Sequence, residues 1–225
     1  YQSKLLGLQG WYGKQPGSGA KTAPEDAVVG MYNHATFNLN PRPCSIDTPL
    51  HSFVPFKHVD HTHPNAAISV AAAKNSAGLT RKIFGEDVVW TAWQRPGFDL
   101  GLKLQELCGK HSLAKGAIMG QHGLINWHDD DKACYELSLD LIERAAQFIA
   151  AHDKGEKTFG GQRHATLPIE RRREAFLAVL PWLRGQLANQ GGAKRMIATI
   201  QDDDATLRFV NSVDAPRLSE LGTSC

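Results

Sequence analysis

The pattern of apolar and polar positions predicts short strands that alternate with longer amphipathic helices. Apolar runs bounded by Pro, Gly, Asn or Asp predict strands at 59–63, 88–93, two within 117–127, and 207–211. Apolar residues at helical spacing, with Pro or Asp near the start, predict helices at 24–34, 66–74, 97–111, 131–149 and 169–189. This alternation indicates the α/β class.

Composition and charge indicate a globular protein. The chain has 225 residues, 42% of them hydrophobic, and its 25 Lys and Arg nearly balance its 23 Asp and Glu. Such a chain can bury a sizeable core, and its small net charge argues against a nucleic-acid partner. No apolar run approaches the ~18 residues of a membrane span and no signal segment opens the chain, so we expect a cytoplasmic protein without a membrane partner.

The four cysteines are scattered and form no C-x-x-C pair, which excludes a zinc ribbon and a disulfide scaffold. The first residue is Tyr1 rather than Met, and residues 1–8 have the pattern of a helix already under way. We therefore expect the chain to be a piece of a longer polypeptide.

Three histidines occur close together in the stretch from His58 to His63. Side chains alternate across a strand, so His61 and His63 should project from one face about 7 Å apart, while Asp60 falls on the other face. Two imidazoles on one face can bind a metal ion. The simpler alternative is a pair of surface or hydrogen-bonded histidines.

His122 lies between Gly120 and Gly123, which allow a tight turn that would carry its imidazole to a neighbouring strand. Three imidazoles with an open fourth position are a ligand set of catalytic zinc and also suit other late transition metals. Metal chemistry also needs an acid/base group, for which Asp47 is the best placed. Asp47 lies in a proline-flanked stretch that we expect to be extended, and the alternative role is as N-cap of a helix at 48–53.

Three motifs carry a resemblance to a known family. They are Ser45-Ile46-Asp47-Thr48-Pro49-Leu50-His51, Val59-Asp60-His61-Thr62-His63-Pro64 and Gly120-Gln121-His122-Gly123 before a long helix. In this order, over roughly 23–151, they resemble the class II aldolase/adducin domain family. The residues around these motifs are most similar to the aldolase portion of bifunctional rhamnulose-1-phosphate aldolase/alcohol dehydrogenase proteins.

This resemblance implies a fold, a site and a reaction. The fold is a three-layer α/β/α sandwich around a mixed, largely antiparallel sheet. His61, His63 and His122 would hold Zn²⁺, and Asp47 would be the acid/base carboxylate, which is usually Glu in the family. The implied reaction is cleavage of a phosphorylated sugar, L-rhamnulose 1-phosphate, to dihydroxyacetone phosphate and L-lactaldehyde in rhamnose metabolism.

The resemblance also implies an organisation. Residues 1–190 would form an aldolase/adducin-like domain that lacks its N-terminal part, and 191–225 a connection toward a fused short-chain dehydrogenase that would bind NAD. The Gly-rich segment that holds the substrate phosphate has no counterpart in 1–24, so we expect it outside this chain. A homotetramer is implied as well.

Two other functions stay open on this scaffold. One is a sugar-phosphate epimerase or decarboxylating lyase, because the same metal chemistry serves several outcomes. The other is a non-catalytic interaction domain like that of adducin. Three histidines together with a carboxylate favour catalysis, because a scaffold protein does not need them.

Overall fold

The computed structural model describes residues 2–14, 22–36, 42–192 and 194–221. Contacts between Cα atoms divide the chain into two compact units, the first ending at His152 and the second beginning at Asp153. This division falls well before the boundary expected between 190 and 191. Among the described residues, no helix combines the length and the apolar character needed to cross a membrane.

The first unit contains seven α-helices and four strands in its described part. These are α1 Gln2–Tyr12, α2 Thr22–Met31, α3 Thr48–Phe53, β1 His58–Thr62, α4 Asn65–Ala71, α5 Ser76–Phe84, β2 Val88–Thr91, α6 Phe98–Lys110, β3 Gly116–Met119, β4 Gly123–His128 and α7 Asp131–His152. A 3₁₀ turn, Tyr32–Ala35, follows α2. Strands and helices predicted for this part of the chain are therefore confirmed, with ends shifted by a few residues.

The four strands form one mixed sheet in the order β1-β4-β3-β2. β4 pairs antiparallel with β1 and with β3, while β2 runs parallel to β3. Two of the three pairings are thus antiparallel, as expected. β4 lies inside the sheet and, except for its last residue His128, is buried.

Helices cover both faces of this sheet. On one face, residues of α3 and α6 pack on β3 and β4; the buried members are Leu50, Leu100, Leu104, Ala117, Met119, Ile125 and Trp127. On the other face, residues of α4, α5 and α7 pack on β2, β3 and β4; these include Ala67, Val70, Phe84, Val88, Ile118, Leu124 and Leu141. Side chains alternate along each strand, so each face of the sheet contributes to a different apolar layer. Helices on both faces of one sheet confirm the three-layer α/β/α sandwich.

The N-terminal helices add a third apolar cluster beside α3 and α6. Its buried members are Leu5, Tyr12, Val28, Tyr32, Ala35, Phe53 and Phe98. Glu25 of α2 is buried there, accepts a hydrogen bond from the amide of Asp99 at 3.1 Å, and pairs with Arg95 at 3.3 Å. Burial raises the pKa of the Glu25 carboxyl above its usual value. This carboxyl thus binds the first turn of α6.

The second unit is helical and differs from one expectation. It contains α8 Ile169–Gln190, which confirms the predicted helix, together with α9 Asp204–Val210 and α10 Ala215–Ser219. The strand predicted at 207–211 is wrong, because most of these residues belong to α9. Asp203 caps this helix by accepting a hydrogen bond from the amide of Thr206 at 2.9 Å.

Candidate metal centre

His61 of β1 projects from the sheet face that α3 covers. His61 pairs with Ile125 and Val59 with Trp127, and both of these β4 residues belong to the apolar layer under α3 and α6. Asp60 points to the other face, where the Ser138 hydroxyl donates a hydrogen bond to it at 2.9 Å. The alternation expected from sequence is confirmed, and Asp60 lies apart from the histidine cluster.

The turn between β3 and β4 carries His122 to the same place. Gln121 adopts a φ of 55°, and the amide of His122 donates a hydrogen bond to the Met119 carbonyl at 3.0 Å. Gly123 follows, and a Cβ there would lie 2.5 Å from Cδ2 of His63. A glycine is therefore needed for β4 to approach His63 this closely.

The three imidazoles converge on one point. His61 Nε2 lies 3.1 Å from His63 Nε2 and 3.2 Å from His122 Nε2. One nitrogen of each residue lies within 4.8 Å of the other two. Three nitrogens bound to one tetrahedral zinc ion at 2.0–2.1 Å would be about 3.3 Å apart. The two separations that involve His61 Nε2 match this spacing, and the three histidines form a group that could hold one metal ion.

Hydrogen bonding and burial also favour metal binding by the three histidines. His61 Nδ1 lies 2.9 Å from the carbonyl oxygen of Leu124, and because a carbonyl only accepts, Nδ1 carries the hydrogen and Nε2 a free lone pair. Burial lowers the pKa of His61, and burial together with the neighbouring His61 and His63 lowers the pKa of His122 to about 4. Metal ligation requires such neutral imidazoles.

Asp47 lies beside this cluster. It immediately precedes α3 with φ −80° and ψ 0°, in a turn rather than the extended segment expected. Its side chain makes no capping hydrogen bond, and its buried Oδ1 has no hydrogen-bond partner among the described residues. The negative charge of Asp47 opposes the fall in pKa of His61 and His122. The N-cap alternative is therefore not supported by the contacts, and an unpartnered carboxylate lies next to the histidines.

A cavity of about 270 Å³ opens at this point, and it shows a residue that sequence reasoning did not assign. Its lining residues are Ser45, Asp47, Thr48, His51 and His61. His51 lies four residues after Asp47, and its ring centroid is 6.4 Å from that of His61. His51 belongs to the same sequence motif as Asp47, and this could have marked it as a candidate site residue. The position of its side chain, however, depends on contacts between α3 and β1.

Family models match most of the chain. Residues 18–149 match the Class II Aldolase and Adducin N-terminal domain, and residues 174–225 match the Aldolase class II, second domain. The chain is 37% identical over 203 residues to "Uncharacterized oxidoreductase YuxG" from Bacillus subtilis (strain 168), an alignment covering 90% of this chain and 29% of that protein. The chain thus spans less than a third of that relative.

One solved structure supports the fold. The N-terminal class II aldolase domain of a conserved protein from Thermoplasma acidophilum is 25% identical with a TM-score of 0.55, over 66% of this chain and 64% of that one. An aldolase II superfamily protein from Pseudomonas syringae is 17% identical with a TM-score of 0.40, over 67% and 65% of the two chains, and carries no further argument. The first family model covers more than half of this chain, so the chain belongs to the class II aldolase and adducin family.

Proposed function

We propose that this chain is the zinc-dependent aldolase part of a sugar-phosphate lyase. The proposed substrate is a ketose 1-phosphate, specifically L-rhamnulose 1-phosphate, and the products are dihydroxyacetone phosphate and L-lactaldehyde. The observation that carries the proposal is the convergence of three imidazole nitrogens beside Asp47, whose buried Oδ1 has no hydrogen-bond partner in the described part of the chain. Membership of the class II aldolase family supports it.

His61, His63 and His122 would hold the metal ion. When bound, the ion would supply a Lewis acid that polarises the substrate carbonyl and stabilises negative charge on oxygen. The hydrogen bond from His61 Nδ1 to the Leu124 carbonyl would hold the orientation of that ring, and the β3–β4 turn brings His122 beside it. The chain thus brings one ring nitrogen of each histidine within 4.8 Å of the other two.

Asp47 would move the proton that the reaction requires. In cleavage, the C3–C4 bond breaks, the C4 hydroxyl loses its proton to become an aldehyde, and C3 gains a proton. Asp47 lines the cavity beside His61, and its buried Oδ1 accepts no hydrogen bond from the described residues. Its carboxylate would therefore be the group that exchanges a proton with the substrate. Asp47 would hold the proton on its way to or from C3.

The proposal extends to the larger protein. A relative named as an oxidoreductase, of which this chain covers only 29%, supports fusion to a short-chain dehydrogenase that would bind NAD. We also propose that the protein is a cytoplasmic homotetramer with a role in rhamnose metabolism.

The experiment is a cleavage assay on the zinc-loaded chain and on the natural polypeptide that contains it. L-Lactaldehyde release from L-rhamnulose 1-phosphate is measured for the parent, Asp47→Asn and the control Asp140→Asn, an exposed position on α7. Asp47→Asn should keep its zinc and lose about 10²-fold or more in rate, while Asp140→Asn should match the parent. Full activity in Asp47→Asn would contradict the role of that carboxylate.

The same assay separates the alternatives. Zinc-loaded protein that converts the substrate to a stereoisomer without releasing an aldehyde would replace the aldolase with the epimerase. Protein that binds no zinc and changes no substrate would support the adducin-like interaction domain instead.

A further inference from the structure

The two ring nitrogens of His51 have different surroundings. Nδ1 lies 3.1 Å from the carbonyl oxygen of Val59 in β1. Since a carbonyl only accepts, Nδ1 carries the hydrogen of the neutral ring and Nε2 carries a lone pair. In the part of the chain that the structure describes, Nε2 forms no hydrogen bond.

His51 and Asp47 line the same cavity. Asp47 immediately precedes α3 and His51 lies within it, and both residues line the cavity of about 270 Å³ next to His61. Two polar side chains, Ser45 and Thr48, complete that wall. The wall therefore contains a carboxylate and an imidazole, both able to accept a hydrogen bond from a ligand in the cavity.

We propose that Nε2 of His51 accepts a hydrogen bond from a hydroxyl group of the bound substrate, while Asp47 engages a neighbouring position. The occupant is a polyhydroxylated ligand, because hydroxyl groups on adjacent carbons supply donors that match the two acceptors. This inference rests on the proposed function and assigns His51 to substrate binding.

A structural role is the competing explanation. The Nδ1–H group of His51 joins α3 to β1, so its loss could displace Asp47 or His61 without any contact to substrate. Two substitutions separate the roles. In His51→Asn, the side-chain amide can replace the Nδ1 donor but offers nothing at the Nε2 position. In His51→Gln, the amide reaches the Nε2 position but does not reproduce the Nδ1 donor.

The test is equilibrium binding of L-rhamnitol 1-phosphate, a polyol that has no carbonyl and cannot be cleaved. The protein is the natural polypeptide that contains this chain, because the segment that would hold the phosphate is expected outside the chain. Zinc content and melting temperature are measured on the same samples. His51→Asn should bind the polyol about tenfold or more weakly, since one hydrogen bond is lost, with zinc content and melting temperature like the parent. His51→Gln should recover part of that affinity.

Other outcomes overturn the inference. Parental affinity in His51→Asn, together with loss of zinc or melting temperature in His51→Gln, would show that His51 only joins α3 to β1. A zinc-loaded parent that does not bind the polyol would also overturn it. If the parent binds the polyol but does not cleave L-rhamnulose 1-phosphate, the proposed function fails while the comparison at His51 still stands.

Discussion

Gly123 lies directly against His63, one of the three clustered histidines. A Cβ at position 123 would come within 2.5 Å of His63 Cδ2 and 2.9 Å of the Thr62 carbonyl oxygen. The imidazole can move aside, but the contact with the backbone carbonyl also requires β1 and β4 to shift apart slightly. We expect Gly123→Ala to displace His63 and weaken zinc binding about tenfold or more, since one of three ligands is misplaced. Competition with a coloured chelator measures this affinity.

Gly109 offers a matched control. It lies in α6, and a Cβ there would meet nothing within 4 Å. Gly109→Ala should leave zinc affinity unchanged and raise the free energy of unfolding by about 0.4–1 kcal/mol. If Gly123→Ala bound zinc as tightly as Gly109→Ala, the close approach of β4 to His63 would have no bearing on the metal site.

The ion pairs of Asp87 should make the free energy of unfolding depend on pH. Its carboxylate lies 3.0 Å from Lys115 and 3.3 Å from Arg144, and the hydrogen bond from Lys115, with Arg144, holds its pKa below the usual value. The folded chain therefore binds fewer protons here than the unfolded chain. This contribution is present above the unfolded pKa of about 3.9 and is lost as the pH falls through the lower folded value.

Asp87→Asn tests this dependence by urea unfolding between pH 7 and pH 2.5. The variant should be less stable than the parent at pH 7, and the difference should shrink as the pH falls. Glu86→Gln is the control, because its pair with Arg81 is 3.8 Å long and both side chains are more than four-fifths exposed. A difference at Asp87→Asn that stays constant with pH would contradict the ion-pair explanation.

Ser138 supports the sheet behind the histidines. Its hydroxyl lies 2.9 Å from Asp60 Oδ2 and 2.9 Å from Asn126 Oδ1, and Asn126 is fully buried. Ser138→Ala should lower the free energy of unfolding by about 1–3 kcal/mol, because a buried oxygen loses its donor. Zinc content should not change, since Asp60 and Ser138 lie on the other side of β1.

Ser69→Ala is the control for this prediction. The Ser69 hydroxyl is exposed and bonds to the Asn65 carbonyl within α4, so its removal should change stability little. Equal effects of the two substitutions in thermal unfolding would show that the buried contacts of Ser138 contribute nothing special.

Local periodicity was enough to predict that His61 and Asp60 lie on opposite faces of β1, because alternation along a strand does not depend on the rest of the fold. The same kind of pattern failed at 207–211. There the apolar residues suit a strand, but the cap supplied by Asp203 starts a helix. The capping signal was present in the sequence and outweighs alternation over so short a segment.

Some side-chain positions at the site could not be predicted from the sequence, because they depend on tertiary contacts. His51 is oriented by the carbonyl of Val59, eight residues later, and the turn at Gln121 is fixed by its amide bonding to Ala71. Neither partner is identified by residue type, because both accept through the backbone. The convergence of His61 and His122 likewise requires β1 to pair with β4.

Elemental analysis of zinc in the purified chain tests the central claim most directly. We expect about one zinc ion per chain in the parent, consistent with one three-histidine site. His61→Ala and His122→Ala should lose it, whereas the control His58→Ala should keep it, because His58 lies on the opposite face of β1. A parent that binds no zinc when the metal is supplied, or variants at His61 and His122 that keep it, would contradict the metal centre.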